Sequence, residues 1–319
     1  MLSFHPLLVG GNPFSVTSIY ALIAFLERKW RVWYAMGGTA SLVKGMVGLV
    51  EGLGGTLRLG ETVEEITLDR SGRKPRATGV RLGSGETLAA DLVVSNADAA
   101  WTYRHLVPAD ARSTWTDRRL DRTDLSMGLF VWYFGTRRQY PDVKHHTILM
   151  GPRYEELLED IFDKKILAED FSLYLHRPTA TDPSMAPEGC DAFYVLSPVP
   201  HLGGGQRWDE AFTERYRQKI AAYLEETLLP GLTDHLDASV TLTPQGFLDD
   251  YLSFKGAAFS IQPTLPQSAY FRPHNASEDV DGLYLVGAGT HPGAGLPGVL
   301  STARVLDTVV PDAPVADAA

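Results

Sequence analysis

Apolar residues recur along the chain at different spacings, which divide it into helical and extended segments. Residues 19–26 are almost entirely apolar within a helix predicted to begin near Ser15. Residues 39–53 carry apolar side chains at the three- and four-residue intervals of a second helix. Short apolar runs between glycine turns then predict four strands of a meander: 56–59, 63–68, 77–82 and 87–94.

The middle of the chain alternates aromatic strands with charged helices. Residues 127–135 form a predicted strand whose two faces are both apolar, so both faces are expected to be covered. The other strands predicted here are 147–150, 171–176 and 192–198. The predicted helices are 99–106, 110–120, 154–161 and 208–229. The pattern predicts a sheet with flanking helices, and the fold class of the whole chain is mixed α/β (α+β).

A glycine-rich loop near the C-terminus is the strongest candidate for a ligand site. It follows a continuous apolar run at 283–286, typical of a strand covered on both faces, and it leads into a helix. The loop holds five glycines: Gly287, Gly289, Gly293, Gly295 and Gly298. A strand, a glycine loop and a helix N-terminus can hold an electron-rich ligand edge, because free N–H groups and the helix dipole point at it. The alternative is a loop that needs flexible corners and binds nothing.

Residues 287–298, GAGTHPGAGLPG, resemble the C-terminal flavin-contacting motif of the bacterial carotenoid desaturases of the phytoene desaturase type. Residues 4–13, 37–39 and 93–98 are similar to that family in the same order, so the resemblance covers nearly the whole chain. The family's N-terminal strand-GxGxxG-helix has no counterpart here. We therefore expect an incomplete desaturase, from a truncated gene, a misassigned start or a split protein. Tight binding of flavin to the isolated chain would contradict that expectation.

The resemblance implies a partial FAD-binding Rossmann-like domain with a β-meander, formed by 37–98 and 271–310. From its composition, rich in alanine, proline and aspartate, the tail at 311–319 is expected to be flexible. The resemblance also implies a sheet-and-helix substrate domain at 99–270 and a helical segment at 1–36 through which substrate enters from the membrane. The residues it assigns to FAD are Gly37, Gly38, Val63, Asn96, Gly287, Gly289, Thr290, His291, Pro292, Gly293, Gly295, Leu296, Pro297, Gly298 and Val299. Without the resemblance, Val63 would be an ordinary strand valine.

The activity implied by the resemblance is FAD-dependent desaturation of phytoene towards neurosporene or lycopene, by hydride transfer to the flavin. No side chain accepts hydride, so a redox cofactor is required. Phytoene has no polar group, so apolar burial must bind it, which predicts a tunnel with a membrane-facing mouth. A later-step desaturase, a ketolase or an isomerase of the same family stays an alternative. So does a non-catalytic protein that binds a hydrophobic ligand or a membrane.

The segment around the first helix is a candidate for membrane contact. Its apolar run is followed by Glu27, Arg28 and Lys29, with Trp30 and Trp33 close by, and these are the ingredients of an interfacial helix. Composition alone favours a core helix with a solvated end. The resemblance reverses that preference and implies a cytoplasmic protein attached peripherally to a membrane. No apolar run approaches the ~20 residues that span a bilayer.

Composition excludes several other classes of function. The 319 residues have a formal net charge of -10, which argues against a general nucleic-acid binder. Cys190 is the single cysteine, so an intramolecular disulfide or a cysteine metal cluster cannot form, and a reducing cytosol fits. The sequence contains no G-x-S-x-G motif, so it gives no indication of a serine hydrolase.

The nine histidines suggest neither a metal site nor a catalytic base. His145 and His146 are adjacent on a predicted strand, so we expect them to point to opposite faces and not to chelate a metal together. No HExxH helix occurs, and no metal is predicted. His291 lies in the glycine-rich loop, where we favour contact with a flavin ring over a role as base. No catalytic acid or base is assigned.

Overall fold

The computed structural model describes residues 4–312 of the chain. Its helices are α1 (Ala21–Trp30), α2 (Thr39–Gly52), α3 (Ala99–Trp101), α4 (Asp117–Asp121), α5 (Tyr154–Glu159), α6 (Glu210–Thr227), α7 (Leu232–His235), α8 (Pro244–Tyr251) and α9 (Leu296–Val309). Its strands are β1 (Val63–Asp69), β2 (Arg76–Leu82), β3 (Thr87–Ala89), β4 (Val93–Ser95), β5 (Gly128–Thr136), β6 (His146–Leu149), β7 (Leu173–His176), β8 (Asp191–Val199), β9 (Leu236–Leu242) and β10 (Leu283–Leu285). The mixture of helices and strands confirms the predicted fold class. Residues 1–3 and most of the predicted tail at 311–319 lie outside the described range.

The strands of the described residues form three sheets. β1, β2 and β3 make an antiparallel meander in that order, while β4 and β10 pair in parallel although they are almost two hundred residues apart. The largest sheet has the order β6-β7-β8-β5-β9 and is antiparallel throughout. Parallel pairing between distant strands requires a long crossover, and here the five-stranded sheet and its helices supply it.

The central strand β5 is covered on both faces, as its pattern predicts. Phe130 and Trp132 pack on one side in a core that includes the buried face of α6. Leu129 and Val131 pack on the other side against α5. Tyr133 departs from the prediction, because its side chain is 45% exposed.

Three sequence predictions differ from the structure. Residues 56–59 do not form a strand, and Leu59 is 81% exposed; an alternating run becomes a strand only when a neighbour pairs with it. The run 87–94 divides into β3 and β4, because one part pairs with β2 and the other with β10. Residues 110–120 are helical only at their ends, since a short 3₁₀ turn at Ala109–Ala111 and α4 are separated by irregular chain.

Three elements were not predicted: α7, β9 and α8. β9 borders β5, and its residues are mostly polar or exposed, so its hydrophobic signal is weak. The division of the chain into domains at residues 36, 98 and 270 stays a prediction.

The first two helices present apolar side chains to solvent. No residue of α1 or α2 is buried, and Val43, Met46 and Leu49 of α2 are all exposed. The apolar stripe of α2, which the sequence suggests as a packing face, is therefore uncovered in the described chain. Among residues 4–312, none of the helices has both the length and the apolarity that crossing a bilayer requires.

A buried ion pair fixes one end of the five-stranded sheet. Asp191 opens β8, is 1% exposed, and accepts hydrogen bonds from Arg177 Nε at 2.9 Å, Thr179 Oγ1 at 2.6 Å and the amide of Tyr140 at 2.7 Å. Arg177 is itself buried and also donates to the carbonyl of Val143. Removing the carboxylate would leave a guanidinium buried without its counter-ion.

We expect Asp191→Ala to lower the free energy of unfolding by about 3–5 kcal/mol, because the charge of Arg177 loses its partner. Urea denaturation followed by circular dichroism measures this value. The matched control is Asp237→Ala, which breaks the exposed pair between Asp237 and Arg137 and should cost no more than about 1 kcal/mol. Equal losses in the two variants would contradict the structural role of Asp191.

Candidate functional site

The parallel pair β4–β10 positions the glycine-rich loop. The amide of Val286 continues the ladder by donating to the carbonyl of Ser95 at 3.0 Å, so both strands end side by side. Gly287 then adopts φ 108°, and a Cβ there would lie 3.0 Å from Oδ1 of Asn96. The carboxyl ends of neighbouring parallel strands are where α/β folds bind ligands. The structure therefore brings together Asn96 and Gly287, which the sequence places far apart.

The far side of β10 is not an open edge. The amide of Ser277 donates to the carbonyl of Leu283 at 2.9 Å, and the amide of Leu285 donates to the carbonyl of Asn275 at 2.8 Å. The side-chain amide of Asn275, which is 3% exposed, also donates to the carbonyl of Leu285 at 3.0 Å. The preceding segment therefore folds back and covers this side of β10.

The first turn of the loop is tied to α9 by threonine hydroxyls. Thr290 is 1% exposed, and its amide and hydroxyl both donate to the carbonyl of Gly287. The amide of Gly287 donates in turn to Oγ1 of Thr302, which lies in α9 and is also buried. These bonds hold the loop against the helix that follows it.

Two of the glycines are required by packing inside the protein. A Cβ on Gly289 would lie 2.7 Å from Oγ of Ser260, and one on Gly298 would lie 2.6 Å from the carbonyl oxygen of Gly293. The sequence explains these glycines by close approach of a ligand, whereas the structure shows that close approach of the chain to itself already requires them. Their contact with a cofactor stays a prediction.

Arg272 lies beneath the loop and was not singled out from the sequence. It is 2% exposed, donates from Nη2 to the carbonyl of Ile261 at 2.6 Å, and donates from Nη1 to the carbonyl of Ala288. A Cβ on Gly293 would lie 3.4 Å from its Nε. Burial lowers the pKa of Arg272 to about 10, so the side chain still carries a positive charge at neutral pH. An isolated arginine in an irregular segment leaves no pattern by which sequence reasoning could find it.

The rest of the loop leaves a histidine nitrogen and a helix N-terminus without side-chain partners among the described residues. The His291 amide donates to the carbonyl of Pro273, while its Nδ1 is buried without a hydrogen-bond partner among the described residues. Gly295, at φ 93°, is the N-cap of α9, and no side chain caps this terminus. Pro297 lies in the first turn, as predicted. The positive end of the helix dipole therefore remains available to an electron-rich group.

Other predicted site residues lie on different elements. Gly37 donates its amide to Oδ2 of Asp182 at 2.6 Å, and a Cβ on Gly38 would lie 3.2 Å from Cε of Met185. Val63 pairs with Leu82 at the start of β1 and packs against the same core as β10. The structure thus joins Asn96 to the loop, places Val63 on the shared core, and anchors Gly37 and Gly38 on the segment around Asp182.

One face of the five-stranded sheet borders an apolar cavity of about 290 Å³. Aliphatic and aromatic side chains of the sheet and the N-terminal segment make up most of its lining, among them Phe4, Leu7, Leu129, Ile148, Tyr174, Tyr194, Leu196 and Phe259. Burial raises the pKa of both Tyr174 and Tyr194, so these phenols are neutral at physiological pH. No charged side chain lines the cavity in the described part of the chain.

The segment at 259–261 connects the cavity to the glycine-rich loop. Phe259 lines the cavity, its neighbour Ser260 lies against Gly289, and the carbonyl of Ile261 accepts from Arg272. An apolar cavity and a loop suited to an electron-rich ring therefore share one wall.

The prediction that His145 and His146 diverge was wrong. Their ring centroids are 4.4 Å apart, and the ring of His176 lies 4.6 Å from that of His145. Strand alternation applies only within a strand, and β6 begins at His146, so His145 is free to turn towards its neighbour.

Comparison with known proteins identifies the family of the chain. Residues 1–305 match the model of the flavin containing amine oxidoreductase family. The chain is 52% identical to the neurosporene-forming phytoene desaturase of Rhodobacter capsulatus, and the match covers 98% of this chain and 60% of that protein. It is 51% identical to the lycopene-forming phytoene desaturase of a Paracoccus species, with 97% of this chain and 61% of that protein covered. The chain thus spans about three fifths of the length of these relatives.

Solved structures show the same fold. An oxidoreductase from Methanosarcina mazei aligns with a TM-score of 0.63 and 18% identity, over 96% of this chain and 63% of that one. Cyclohexylamine oxidase from Brevibacterium oxydans aligns with a TM-score of 0.50 and 12% identity, over 94% and 62%. Because the family model matches 1–305 of its 319 residues, the chain belongs to the flavin-containing amine oxidoreductase family.

Proposed function

We propose that the chain takes part in FAD-dependent desaturation of a phytoene-like hydrocarbon towards neurosporene or lycopene, with residues 37–98 and 271–310 forming a partial Rossmann-like FAD domain. The observation that carries this proposal is the shared wall at 259–261, which sets an apolar, uncharged cavity beside the glycine-rich loop. Relatives about half identical in sequence are phytoene desaturases by name.

The residues of the loop fit a flavin. Asn96 offers an amide beside Gly287, His291 has a buried Nδ1 without a partner, and α9 has an uncapped N-terminus. Arg272 adds a fixed positive charge below them. When bound, FAD supplies the hydride acceptor that no side chain provides.

The cavity residues bind and orient the hydrocarbon. Each Å² of apolar surface that leaves water contributes about 25 cal/mol, and this is the only force available to a substrate without polar groups. The neutral phenols of Tyr174 and Tyr194 add no charge that would attract water. Leu129 and Leu196, which stand on neighbouring strands of the sheet, form part of the floor on which a polyene would lie.

Substrate of this kind is dissolved in membrane, and α1 is suited to reach it. Leu22 and Phe25 are exposed, Trp33 is 85% exposed, and the ammonium of Lys29 lies 5.0 Å from the centroid of the Trp30 ring. Exposed apolar and aromatic side chains beside cations favour the interface between lipid and water. We propose that this segment attaches the protein peripherally to a membrane on its cytoplasmic side.

Expression in a phytoene-accumulating bacterium tests the proposed activity. We expect the chain to convert phytoene to coloured carotenoid, and Leu196→Asp to reduce the conversion at least tenfold, because a carboxylate in the cavity is costly without a partner. Leu265→Asp is the matched control, since that leucine is 68% exposed, and it should leave the pigment yield unchanged. Unconverted phytoene with the unsubstituted chain would contradict the catalytic role and favour a non-catalytic binder.

A second test addresses the cofactor. Gly298→Ala places a methyl group 2.6 Å from the carbonyl oxygen of Gly293, so we expect the loop to shift and flavin affinity to fall at least tenfold. Quenching of FAD fluorescence measures the affinity. Gly45→Ala in α2 is the control, because a Cβ there meets nothing within 4 Å. Equal affinities in the two variants would contradict the assignment of FAD to this loop.

Flotation with anionic phospholipid vesicles tests the membrane proposal. Phe25→Glu should move at least half of the protein out of the vesicle fraction, because it puts a charge into the apolar face of α1. Leu59→Glu changes a residue that is 81% exposed outside this helix and should float like the unsubstituted chain. If Phe25→Glu floats normally, α1 is not the contact surface.

A further inference from the structure

Three histidine rings meet at the outer edge of the five-stranded sheet, away from the glycine-rich loop. His146 in β6 is the cross-strand partner of His176 in β7, and His145 immediately precedes β6. The ring of His176 is 4.6 Å from that of His145 and 5.3 Å from that of His146. One nitrogen from each ring lies within 4.8 Å of one nitrogen from each of the others. We call these residues the histidine cluster.

Hydroxyl groups occupy the same nitrogen on each ring. Nδ1 of His145 lies 2.5 Å from Oγ1 of Thr181, and Nδ1 of His146 lies 2.6 Å from the hydroxyl of Tyr174. The same Tyr174 hydroxyl lies 3.2 Å from Nδ1 of His176 and is also hydrogen-bonded to Tyr194. If Tyr174 donates its proton to Tyr194, its oxygen accepts from both imidazoles. That arrangement protonates Nδ1 and leaves Nε2 as a lone pair.

Polar atoms of the cluster lack partners within the protein. Nε2 of His145 is buried and has no hydrogen-bond partner among the described residues, and the same is true of the hydroxyl of Tyr34. The ring of Tyr34 packs edge-on against His145, with centroids 4.9 Å apart. Buried polar atoms are normally satisfied, so two unsatisfied ones in contacting side chains indicate a missing ligand.

A carboxylate near the cluster adds a negative charge that favours a bound cation. The carboxylate of Glu27, which also contacts Nε2 of His5 at 3.0 Å, is the negative group that acts on His146.

We propose that His145, His146 and His176 bind one divalent transition-metal cation through Nε2, with Zn²⁺ as the best fit. Zinc binds imidazole nitrogen at ~2.0–2.1 Å, so tetrahedral ligand nitrogens are about 3.4 Å apart. The rings must therefore turn and move closer together before they can share one ion. The hydroxyls of Thr181 and Tyr174 then act as the outer hydrogen-bond partners that orient metal-binding histidines. Three protein ligands leave a fourth position for water or the hydroxyl of Tyr34.

Such an ion would reinforce the edge of the five-stranded sheet and link it to a neighbouring segment. It ties the edge strand β6 to β7, and through Tyr34 it reaches the segment that follows α1. Tyr174 both lines the apolar cavity and orients two of the ligands, so the metal would brace one end of that cavity. The proposal does not rest on the proposed redox activity, because its observations concern the histidine cluster alone.

Zinc titration of the metal-free, detergent-solubilised chain, by competition with a chromogenic chelator, tests the site. We expect one equivalent to bind with micromolar or tighter affinity and to raise the melting temperature. His176→Gln and His145→Gln should each weaken binding at least tenfold, and Tyr174→Phe should weaken it by 10–100-fold because the rings lose their orienting partner. His105→Gln is the control, since His105 stacks on Trp101 and is exposed on another element.

Circular dichroism without zinc shows which variants are folded. Because there are two histidine variants and one tyrosine variant, the comparison stays valid even if one variant fails to fold. The proposal is overturned if the unsubstituted chain binds no zinc. It is also overturned if the folded variants bind zinc as tightly as His105→Gln does, because the metal would then be held elsewhere on the surface.

Discussion

Parallel pairing of β4 with β10 is the contact on which the candidate site depends. It joins two strands of three residues each that lie almost two hundred residues apart, and it sets Asn96 beside Gly287 at their common end. The pair is stable because it is buried: Leu283 and Leu285 are 1% and 0% exposed and pack in one core with Ile66 and Val93. Everything downstream, from the turn at Thr290 to the N-terminus of α9, takes its position from this ladder.

The two faces of the five-stranded sheet are packed differently. One face is filled by Phe130 and Trp132 against α6, while the other leaves room for a cavity between the strands and the N-terminal segment. Residues 259–261 run from that cavity to the glycine-rich loop and to the guanidinium of Arg272. The cavity and the loop are therefore joined by three consecutive residues, and a shift in this stretch of backbone would be felt at both.

The histidine cluster shows how a polar site can lie at the margin of such a cavity. Tyr174 belongs to both, since its ring lines the apolar space and its hydroxyl contacts two imidazoles. Strand pairing brings His146 and His176 together, but only the end of β6 allows His145 to join them. The sheet thus orders apolar side chains along its middle and three imidazole rings at its edge.

The sequence by itself determined the fold class, the buried strands, the helix after the glycine-rich loop and the resemblance to flavin-dependent desaturases, because these follow from local periodicity and from contiguous motifs. It did not determine which strands pair. The pattern at 87–94 predicts one strand, whereas the structure has two. The apolar pattern of β9 is too weak to predict a strand from the sequence. Only the tertiary structure covered β10 with the segment at Asn275, put Arg272 under the loop and gathered three histidines. Each of these depends on how separate segments pack against one another, and no local pattern of side chains records such packing.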